Sequence, residues 1–315
     1  MPRPLLLDTD IGSDVDDALA MAVLLSAPGD LELAAVTTVA GNAEGRAWAA
    51  ARMLGLAGRP EVEVCVGAEN ALVRRERFVW RDIETKDYPD GPDAVRSDEP
   101  AAERIVRTAK EIPDLEIVAI GPLTNLAHAL ALDPELPERV SRLTIMGGHI
   151  REVRIGELRC KPGIDYNLCS DPEASVMVLG AGFRTRLVSA DVTLQTWLRE
   201  QDLLRLAERE GPVPRLLVDQ VRRWTPFQRK IFTGLGGTLA DDNVAFLHDP
   251  LTVLSLVDES ALHFEDLHVL PTIERGTMRT LEVPAGSGMG LPMQVATAVD
   301  AAAARDAIVT RLLSI

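Results

Sequence analysis

The stretch LLLDTDIGSDVDDALAMAVLL, residues 5–25, places an apolar run, an acidic turn and a helix-like segment one after another. Residues 5–7 have the short apolar pattern of a buried strand, and residues 18–25 have the Ala- and Leu-rich pattern of a helix. Five of the ten residues 8–17 are aspartates. Carboxylates this close repel one another, so they stay ionised at neutral pH only beside a metal ion or several strong donors. The stretch therefore predicts a strand, a metal site and a helix, in that order.

The composition is that of an ordinary globular protein. The chain has 315 residues, of which 46% are hydrophobic and 26% are charged, so a sizeable core is expected. A net charge of −15 disfavours binding to nucleic acid or to an anionic membrane, and favours a small neutral or cationic ligand. Three cysteines without a CxxC pair or a signal peptide predict a reducing, cytoplasmic compartment. The longest apolar stretches fall short of the roughly 20 residues that cross a bilayer, so we expect no membrane segment.

Short apolar runs alternate with longer amphipathic segments along the whole chain. This alternation predicts an α/β fold, a mainly parallel open sheet with helices on both faces, in a single domain over residues 1–315. The predicted strands are 5–7, 33–39, 62–66, 115–120, 143–146, 186–190 and 267–270. The predicted helices include 43–57, 99–111, 123–132, 171–180, 197–210, 213–224 and 300–314. Two segments interrupt the pattern, 72–98 and 233–248, and we expect both to be flaps over a site.

Polar residues follow five of the predicted strands directly. In a doubly wound sheet, ligands bind beyond the carboxyl ends of the strands, so we expect these residues to form one active site there. Each group alone is ordinary turn chemistry, and their recurrence at equivalent positions is what favours a site. The groups are 8–17, 37–42, 121–125, 147–149 and 191–193.

Taken together, these motifs resemble the inosine-uridine preferring nucleoside hydrolase family, whose members are calcium-dependent enzymes that cleave the N-glycosidic bond of ribonucleosides. The resemblance covers nearly the whole chain. It is carried by Asp8-Thr9-Asp10 with Asp16-Asp17-Ala18, residues 37–42 and 121–125, Met146-Gly147-Gly148, Asn167 with Asp171-Pro172-Glu173-Ala174, residues 191–193, and His248-Asp249-Pro250-Leu251. It implies a nucleoside hydrolase-like fold, a nucleoside substrate, a Ca²⁺ cofactor and a homodimer or homotetramer.

The acidic cluster suits calcium on chemical grounds as well. Ca²⁺ takes six to eight oxygen ligands and tolerates irregular geometry. We expect Asp10, Asp17 and Asp249 to be the carboxylate ligands, and the resemblance adds the backbone carbonyl of Ile120. An EF-hand is the rival calcium site, but Leu19 stands where its loop needs a bidentate glutamate.

Hydrolysis of a ribosyl bond needs an activated water, contacts to the sugar hydroxyls and help for the departing base. We expect Asp10 to take a proton from a calcium-bound water, as general base and ligand together. His248, beside the ligand Asp249, is the expected acid toward the base. Each hydroxyl both donates and accepts a hydrogen bond, which calls for paired donors and acceptors. The resemblance assigns this task to Asp16, Asn42, Asp165 and Asn167.

Several residues have a structural alternative beside the functional one. Asp14 is expected to start or cap the helix that follows the acidic turn, where anions are favoured. Trp224 and Phe227 lie near the end of a predicted helix, where aromatic side chains usually belong to the core. The family resemblance gives the other possibility, that they stack on a nucleobase. His149 follows a Gly-Gly pair at a strand end and either faces the site or is structural. Residues 191–193 are expected to brace the pocket from behind.

The sequence departs from the family pattern at three places. The loop Ile11-Gly12-Ser13-Asp14-Val15 stands where many members have a shorter Pro-Gly loop before the paired aspartates. Asp165-Tyr166-Asn167 replaces the more usual Glu-Phe-Asn, which shortens one acidic side chain by a methylene group. A His-Gly loop often found near position 80 is replaced by residues 80–88, so no nucleobase preference is predicted.

Two other function classes stay open at this point. The first is a nucleoside or sugar binder that keeps the fold without turnover. The second is a haloacid-dehalogenase-like phosphatase, in which Asp8 and Asp10 would be nucleophile and acid. Such phosphatases need Thr or Val two residues beyond the second aspartate, where this chain has Gly12.

Overall fold

The computed structural model describes residues 2–73, 88–155 and 158–315. The strands are β1 (Arg3–Thr9), β2 (Leu31–Thr38), β3 (Glu63–Val66), β4 (Arg96–Ser97), β5 (Glu116–Ala119), β6 (Arg142–Met146), β7 (Val153–Ile155), β8 (Leu158–Cys160), β9 (Thr185–Val188), β10 (Trp197–Arg199), β11 (Asn243–Phe246), β12 (Leu262–Glu274), β13 (Thr277–Val283) and β14 (Leu291–Val299). The helices are α1 (Asp16–Leu25), α2 (Ala43–Leu56), α3 (Ala101–Glu111), α4 (Thr124–Leu132), α5 (Leu136–Arg139), α6 (Tyr166–Ser170), α7 (Pro172–Leu179), α8 (Ala190–Thr193), α9 (Glu200–Ala207), α10 (Pro212–Gly234), α11 (His248–Val257) and α12 (Ala301–Leu312).

Ten of these strands form one sheet, in the order β13-β12-β14-β9-β6-β5-β1-β2-β3-β4. Every neighbouring pair from β14 to β4 is parallel. The predicted mainly parallel open sheet is therefore confirmed. The predicted strand 267–270 lies within β12, which pairs antiparallel with both β13 and β14. A short turn joins β12 to β13, and only antiparallel neighbours can be joined in that way.

The strand order reverses at β1. From β1 the chain moves outward through β2, β3 and β4, and it then returns to the other side of β1 with β5, β6 and β9. Such a reversal opens a crevice at the carboxyl ends of the two central strands, where open α/β sheets bind ligands. Asp10 follows β1 at this point, and Ile120 follows β5.

Helices cover both faces of the sheet and bury two apolar cores. Successive side chains of a strand point to opposite faces. Leu5 and Leu7 of β1 accordingly pack in one core, with α1, α2, α10, α11 and α12. Leu6 packs in the other core, with α3, α4 and α7. The predicted helices on both faces are therefore present.

Helix α10 continues to Gly234, beyond its predicted end at residue 224. Pro226 lies inside it, although proline usually ends a helix because it lacks a backbone N–H. Contacts with β11 stabilise the segment after the proline. Gln228 Nε2 donates to Asn243 Oδ1 at 2.9 Å, and the backbone N of Phe246 donates to Gln228 Oε1 at 2.8 Å. Tertiary contacts thus override the local helix-breaking signal.

Of the two predicted flaps, the structure describes 233–248 completely and 72–98 only in part. Residues 74–87, the larger part of the flap predicted at 72–98, lie outside the described residues. Beyond them Tyr88 is buried, and its ring meets Trp48 edge-on with a centroid distance of 5.5 Å. The segment 233–248 consists of the end of α10, a connection, β11 and the start of α11. Across the described ranges, each helix is too short or too polar to cross a bilayer.

Candidate active site

The acidic turn, residues 8–17, contributes four carboxylates to a cavity of about 640 Å³. Asp10, Asp16 and Asp17 are each at most 4% exposed. Carboxylate oxygens of Asp14, Asp16 and Asp17 lie within 4.8 Å of one another. The fifth carboxylate belongs to Asp249 of α11, whose backbone N donates to Asp16 Oδ2 at 3.3 Å. Two distant segments of the chain thus bring five carboxylates together at the switch point of the sheet.

Burial and mutual repulsion oppose ionisation of this cluster. Desolvation raises the pKa of Asp10 to about 7. Desolvation also raises the pKa of Asp16, Asp17 and Asp249 well above the usual range, and the charges of neighbouring aspartates raise it further. All of the donors are oxygens, the ligand type that hard divalent cations prefer. A cation bound among them would offset the repulsion, so the donor set fits a metal ion.

Asp14 has a different place from the one predicted. The N-cap residue of α1 is Val15, and no described side chain caps that helix end by a hydrogen bond. The prediction that Asp14 caps the helix is therefore wrong, because its carboxylate joins the cavity cluster instead. Asp8 lies behind the cluster, where its Oδ1 accepts from Thr37 Oγ1 at 2.6 Å and from Asn125 Nδ2 at 2.7 Å.

Arg46 of α2 holds the backbone of the acidic turn. It is 2% exposed, and its guanidinium donates to the carbonyl oxygens of Asp10 and Ile11 and to Ser13 Oγ. Its positive charge also lowers the pKa of Asp10 and Asp17 against the larger effect of burial. Sequence analysis missed Arg46, because a lone arginine on a helix gives no sign of contacts more than thirty residues away.

Ile120, whose carbonyl is the predicted backbone ligand, follows β5 and lines the cavity. The next residue, Gly121, lies so close to the backbone of Asp10 that a Cβ atom there would be 2.9 Å from Asp10 N. Asn167 Nδ2 donates to the Ile120 carbonyl at 2.8 Å and to the Met146 carbonyl at 3.1 Å. One amide group therefore joins the ends of β5 and β6 at the cavity.

Asp165 and Asn167, both predicted to contact the sugar, line the cavity. Asp165 is the N-cap residue of α6, and its Oδ1 accepts from the backbone N of Leu168 at 2.9 Å. Desolvation raises the pKa of Asp165 to about 6, and backbone N–H groups of Leu168 and Gly148 oppose that rise. The carboxylate is thus held in one orientation by its own helix.

His248 lines the cavity at the start of α11, next to Asp249. Its Nδ1 lies 2.7 Å from Thr193 Oγ1, and its ring lies 5.3 Å from that of Phe246. Desolvation lowers the pKa of His248 to about 4, although the charge of Asp14 opposes this effect. The ring is therefore neutral near pH 7, and Thr193 orients it.

Two predicted substrate-contacting residues lie apart from the cavity. Asn42 is exposed, and its Oδ1 caps α2 by accepting from the backbone N of Gly45 at 3.0 Å. Capping accounts for an asparagine at this junction of strand and helix. Phe227 is 44% exposed, because the continuation of α10 turns it outward. Trp224, in contrast, is buried and lines the cavity. Neither Asn42 nor Phe227 is among the residues that line the cavity, and a contact of either with the substrate stays a prediction.

Much of the remaining cavity surface is an apolar wall, which sequence analysis missed. Gln228 also lines the cavity, but its Nε2 already donates to Asn243 Oδ1 and its Oε1 already accepts from the backbone N of Phe246. The wall's members come from β7, β8, α10, β11 and the residue after α8, and none belongs to a motif. They are Ile155, Leu158, Leu194, Ile231, Phe232 and Phe246.

Residues 5–306 match the family model described as inosine-uridine preferring nucleoside hydrolase. The chain belongs to this family. It is similar to the pyrimidine-specific ribonucleoside hydrolase RihA of Shewanella woodyi, with 33% identity over 268 residues, 82% of this chain and 80% of that one. It is also similar to probable uridine nucleosidase 1 of Oryza sativa, with 28% identity over 269 residues, 83% of this chain and 78% of that one.

Solved nucleoside hydrolase structures share the fold over nearly the full length. The plant nucleoside hydrolase PpNRh1 has a TM-score of 0.85 and 25% identity, and the match covers 100% of both chains. The purine-preferring ribonucleoside hydrolase from Gardnerella vaginalis has a TM-score of 0.82 and 26% identity, with 99% of both chains covered. The predicted family, fold and enzyme class are confirmed, and a phosphatase of another fold family is excluded.

Proposed function

We propose that this nucleoside hydrolase is a Ca²⁺-dependent N-ribohydrolase that releases a free nucleobase and ribose. The observation that carries the proposal is the carboxylate cluster of Asp10, Asp14, Asp16, Asp17 and Asp249, which lines one cavity together with Ile120. Of these groups, Asp10, Asp17, Asp249 and the Ile120 carbonyl are the proposed ligands. A hard cation with six to eight oxygen ligands and flexible geometry suits such a set. Burial and mutual repulsion raise the pKa of these carboxyls, and a bound cation would offset the repulsion.

The proposed general base is Asp10. When bound, Ca²⁺ would keep the cluster ionised and lower the pKa of a water molecule beside the anomeric carbon. Asp10 accepts the proton of the attacking water, a task that an ionised carboxylate can perform. Arg46 fixes the backbone carbonyl of Asp10, and Thr9 Oγ1 donates to Asp17. These contacts hold the base and its neighbour in place before the substrate binds.

The sugar is proposed to bind between Asp16, Asp165 and Asn167. The Nδ2 of Asn167 is already occupied by two carbonyl oxygens, so its Oδ1 is left to accept from a hydroxyl. Asp16 and Asp165 supply further acceptors on two sides of the cavity. Asn42 is left out of this set, because its side chain caps α2.

The departing base is proposed to lie between His248 and the apolar wall. With Thr193 Oγ1 as the donor to Nδ1, the neutral imidazole carries its single N–H on Nε2 and donates it to a ring nitrogen or oxygen of the base as negative charge develops there. Trp224 and Phe246 offer aromatic surface for a heterocycle. The names of the relatives include pyrimidine-specific, uridine-cleaving and purine-preferring enzymes, so the proposal takes ribonucleosides as a class.

The test is reducing-sugar release from inosine, adenosine, guanosine, uridine and cytidine, each with Ca²⁺ and with a chelator. We expect release that the chelator abolishes and that added Ca²⁺ restores. Tight nucleoside binding without any release would favour the alternative of a non-catalytic binder. The family resemblance also implies a cytoplasmic salvage enzyme that is a homodimer or homotetramer, and sedimentation velocity would test the assembly.

A further inference from the structure

His149 lies directly after β6, at a turn that fixes its backbone. Gly148 has a φ of +87°, in the left-handed region that favours glycine, and a Cβ there would lie 3.2 Å from Thr280 Oγ1. The backbone N of His149 donates to that hydroxyl at 3.0 Å. The backbone N of Ala190 donates to the Gly148 carbonyl at 2.8 Å. These contacts hold the His149 backbone at one place in the cavity wall.

The imidazole of His149 is buried and lines the same cavity as the acidic turn. The residue is 4% exposed, and its Nε2 has no hydrogen-bond partner among the described residues. Asp191 Oδ1 lies 4.0 Å from this nitrogen, which is longer than a hydrogen bond. A buried polar atom without a partner is costly, and such an atom in a native cavity calls for a functional explanation.

Asp191 is held where it is by other donors. Its carboxylate accepts from the backbone N atoms of Ile150 and Arg151 and from Ser189 Oγ. It therefore stays near the imidazole as a fixed charge and leaves Nε2 free for a ligand. The same short helix, α8, carries Thr193, which contacts His248. Helix α8 thus places a polar side chain near each of the two cavity histidines, His149 and His248.

The neighbouring polar group in this wall is the carboxylate of Asp165. The backbone N–H of Gly148, the residue before His149, lowers the pKa of that carboxylate. A Cβ on Gly147 would lie 3.4 Å from Asp165 Oδ1. The carboxylate of Asp165 and the unpartnered Nε2 of His149 therefore belong to the same cavity. A sugar, whose hydroxyls both donate and accept hydrogen bonds, matches these two groups.

We propose that His149 Nε2 hydrogen-bonds to a hydroxyl of the sugar in this cavity, while Asp165 accepts from a hydroxyl of the same sugar. This inference rests on the proposed function, because it requires a nucleoside in the cavity. His149 is then a specificity-determining residue that recognises the sugar, whereas His248 and the apolar wall contact the base.

The test compares four substrates: a ribonucleoside and its 2′-, 3′- and 5′-deoxy analogues. We expect His149→Phe, which keeps a ring but removes both nitrogens, to lower kcat/KM about tenfold to a hundredfold where the hydroxyl is present. With the one analogue that lacks the contacted hydroxyl, kcat/KM should be the same for His149→Phe and wild type. That analogue identifies which hydroxyl His149 contacts. His149→Gln retains an N–H donor and should recover part of the activity. His128→Gln, on the exposed side of α4, is the matched control and should change nothing.

An equal loss with all four substrates, or no loss with any, would overturn the proposal. The ratio between two substrates measured on one preparation does not depend on the folded fraction, so a poorly folding variant still gives an answer. If the wild-type enzyme cleaves none of the four, the proposed function fails. Calorimetric binding of the same compounds to wild type and to His149→Phe then tests the hydroxyl contact separately.

Discussion

The acidic turn and the apolar wall line the same cavity, but they are built in opposite ways. Four of the five carboxylates come from ten consecutive residues, and Arg46 fixes the backbone that carries them. The six side chains of the wall come from five separate places in the chain. Groups that must act together on one bond are thus close in sequence, whereas the surface proposed to contact the base forms only when distant elements pack. The comparison predicts that changes in the turn affect turnover and that changes in the wall affect binding.

The largest expected effect is the loss of the proposed general base. Asp10→Asn should lower kcat roughly 10³-fold, because the amide cannot accept the proton of the attacking water. Asp30→Asn, an exposed aspartate just before β2, is the matched control and should leave kcat unchanged. Reducing-sugar release under saturating nucleoside measures both. Activity of Asp10→Asn within tenfold of wild type would remove Asp10 from the mechanism.

The next largest effect is expected from the loss of Arg46, whose guanidinium holds the backbone of the acidic turn. Arg46→Met should lower the free energy of unfolding by about 3 kcal/mol, because buried carbonyl oxygens lose their donor and the carboxylates lose a nearby positive charge. It should also weaken Ca²⁺ binding, since the ligands lose their fixed backbone. Urea unfolding and calcium titration measure the two effects. Arg96→Met is the control, because the Arg96–Glu44 ion pair is exposed. Unchanged calcium affinity in Arg46→Met would limit Arg46 to a stabilising role.

The cavity carboxyls predict an inverted pH dependence of stability without metal. Folding raises the pKa of Asp10 to about 7 and of Asp165 to about 6, both above their unfolded values. The folded state therefore binds more protons than the unfolded state between about pH 4 and 7, and stability falls as pH rises through that window. Each shifted pKa unit corresponds to roughly 1.4 kcal/mol. Melting temperatures with chelator should drop from pH 5 to pH 8, and Ca²⁺ should remove the drop. A higher melting temperature at pH 8 with chelator would contradict this account.

The smallest expected effect lies in the apolar wall. Phe232→Ala should raise KM about tenfold with little change in kcat, because it removes a ring that packs 4.9 Å from Phe246 beside the proposed base site. Phe227→Ala, an exposed neighbour on the same helix, should change neither constant. If Phe232→Ala lowered kcat as strongly as Asp10→Asn, the division between turn and wall would be wrong.

Much of the fold could be predicted from short apolar runs. A strand buried on both faces needs a continuous apolar stretch, so β1, β2, β5 and β6 were recognisable one by one. Pairing direction was harder, because the run at 267–270 looks like the others but lies in an antiparallel strand. The course of α10 past Pro226 was also hidden, since it depends on hydrogen bonds to β11.

The site divides in the same way. Asp10, Asp17 and Ile120 were predictable, because residues after parallel strands meet at one edge of the sheet. Asp165, Asn167, His248 and Asp249 follow strands of the two small antiparallel sheets, and they were predicted from the family resemblance. Asn42 also follows a parallel strand, yet its side chain turns to the end of α2. A position after a strand therefore predicts that a residue lies near the cavity. Local hydrogen bonds then determine whether its side chain points into it.

The strand–turn–helix start, the mainly parallel sheet and the acidic cluster follow from the order of the residues, because periodicity and charge density are properties of neighbouring residues. That Asp14 joins the cluster, that Arg46 supports it and that the apolar wall forms depends on how distant segments pack. So does the unpartnered nitrogen that His149 keeps in the cavity. The physical reason is that burial, desolvation and hydrogen bonding between distant segments exist only after the chain has packed.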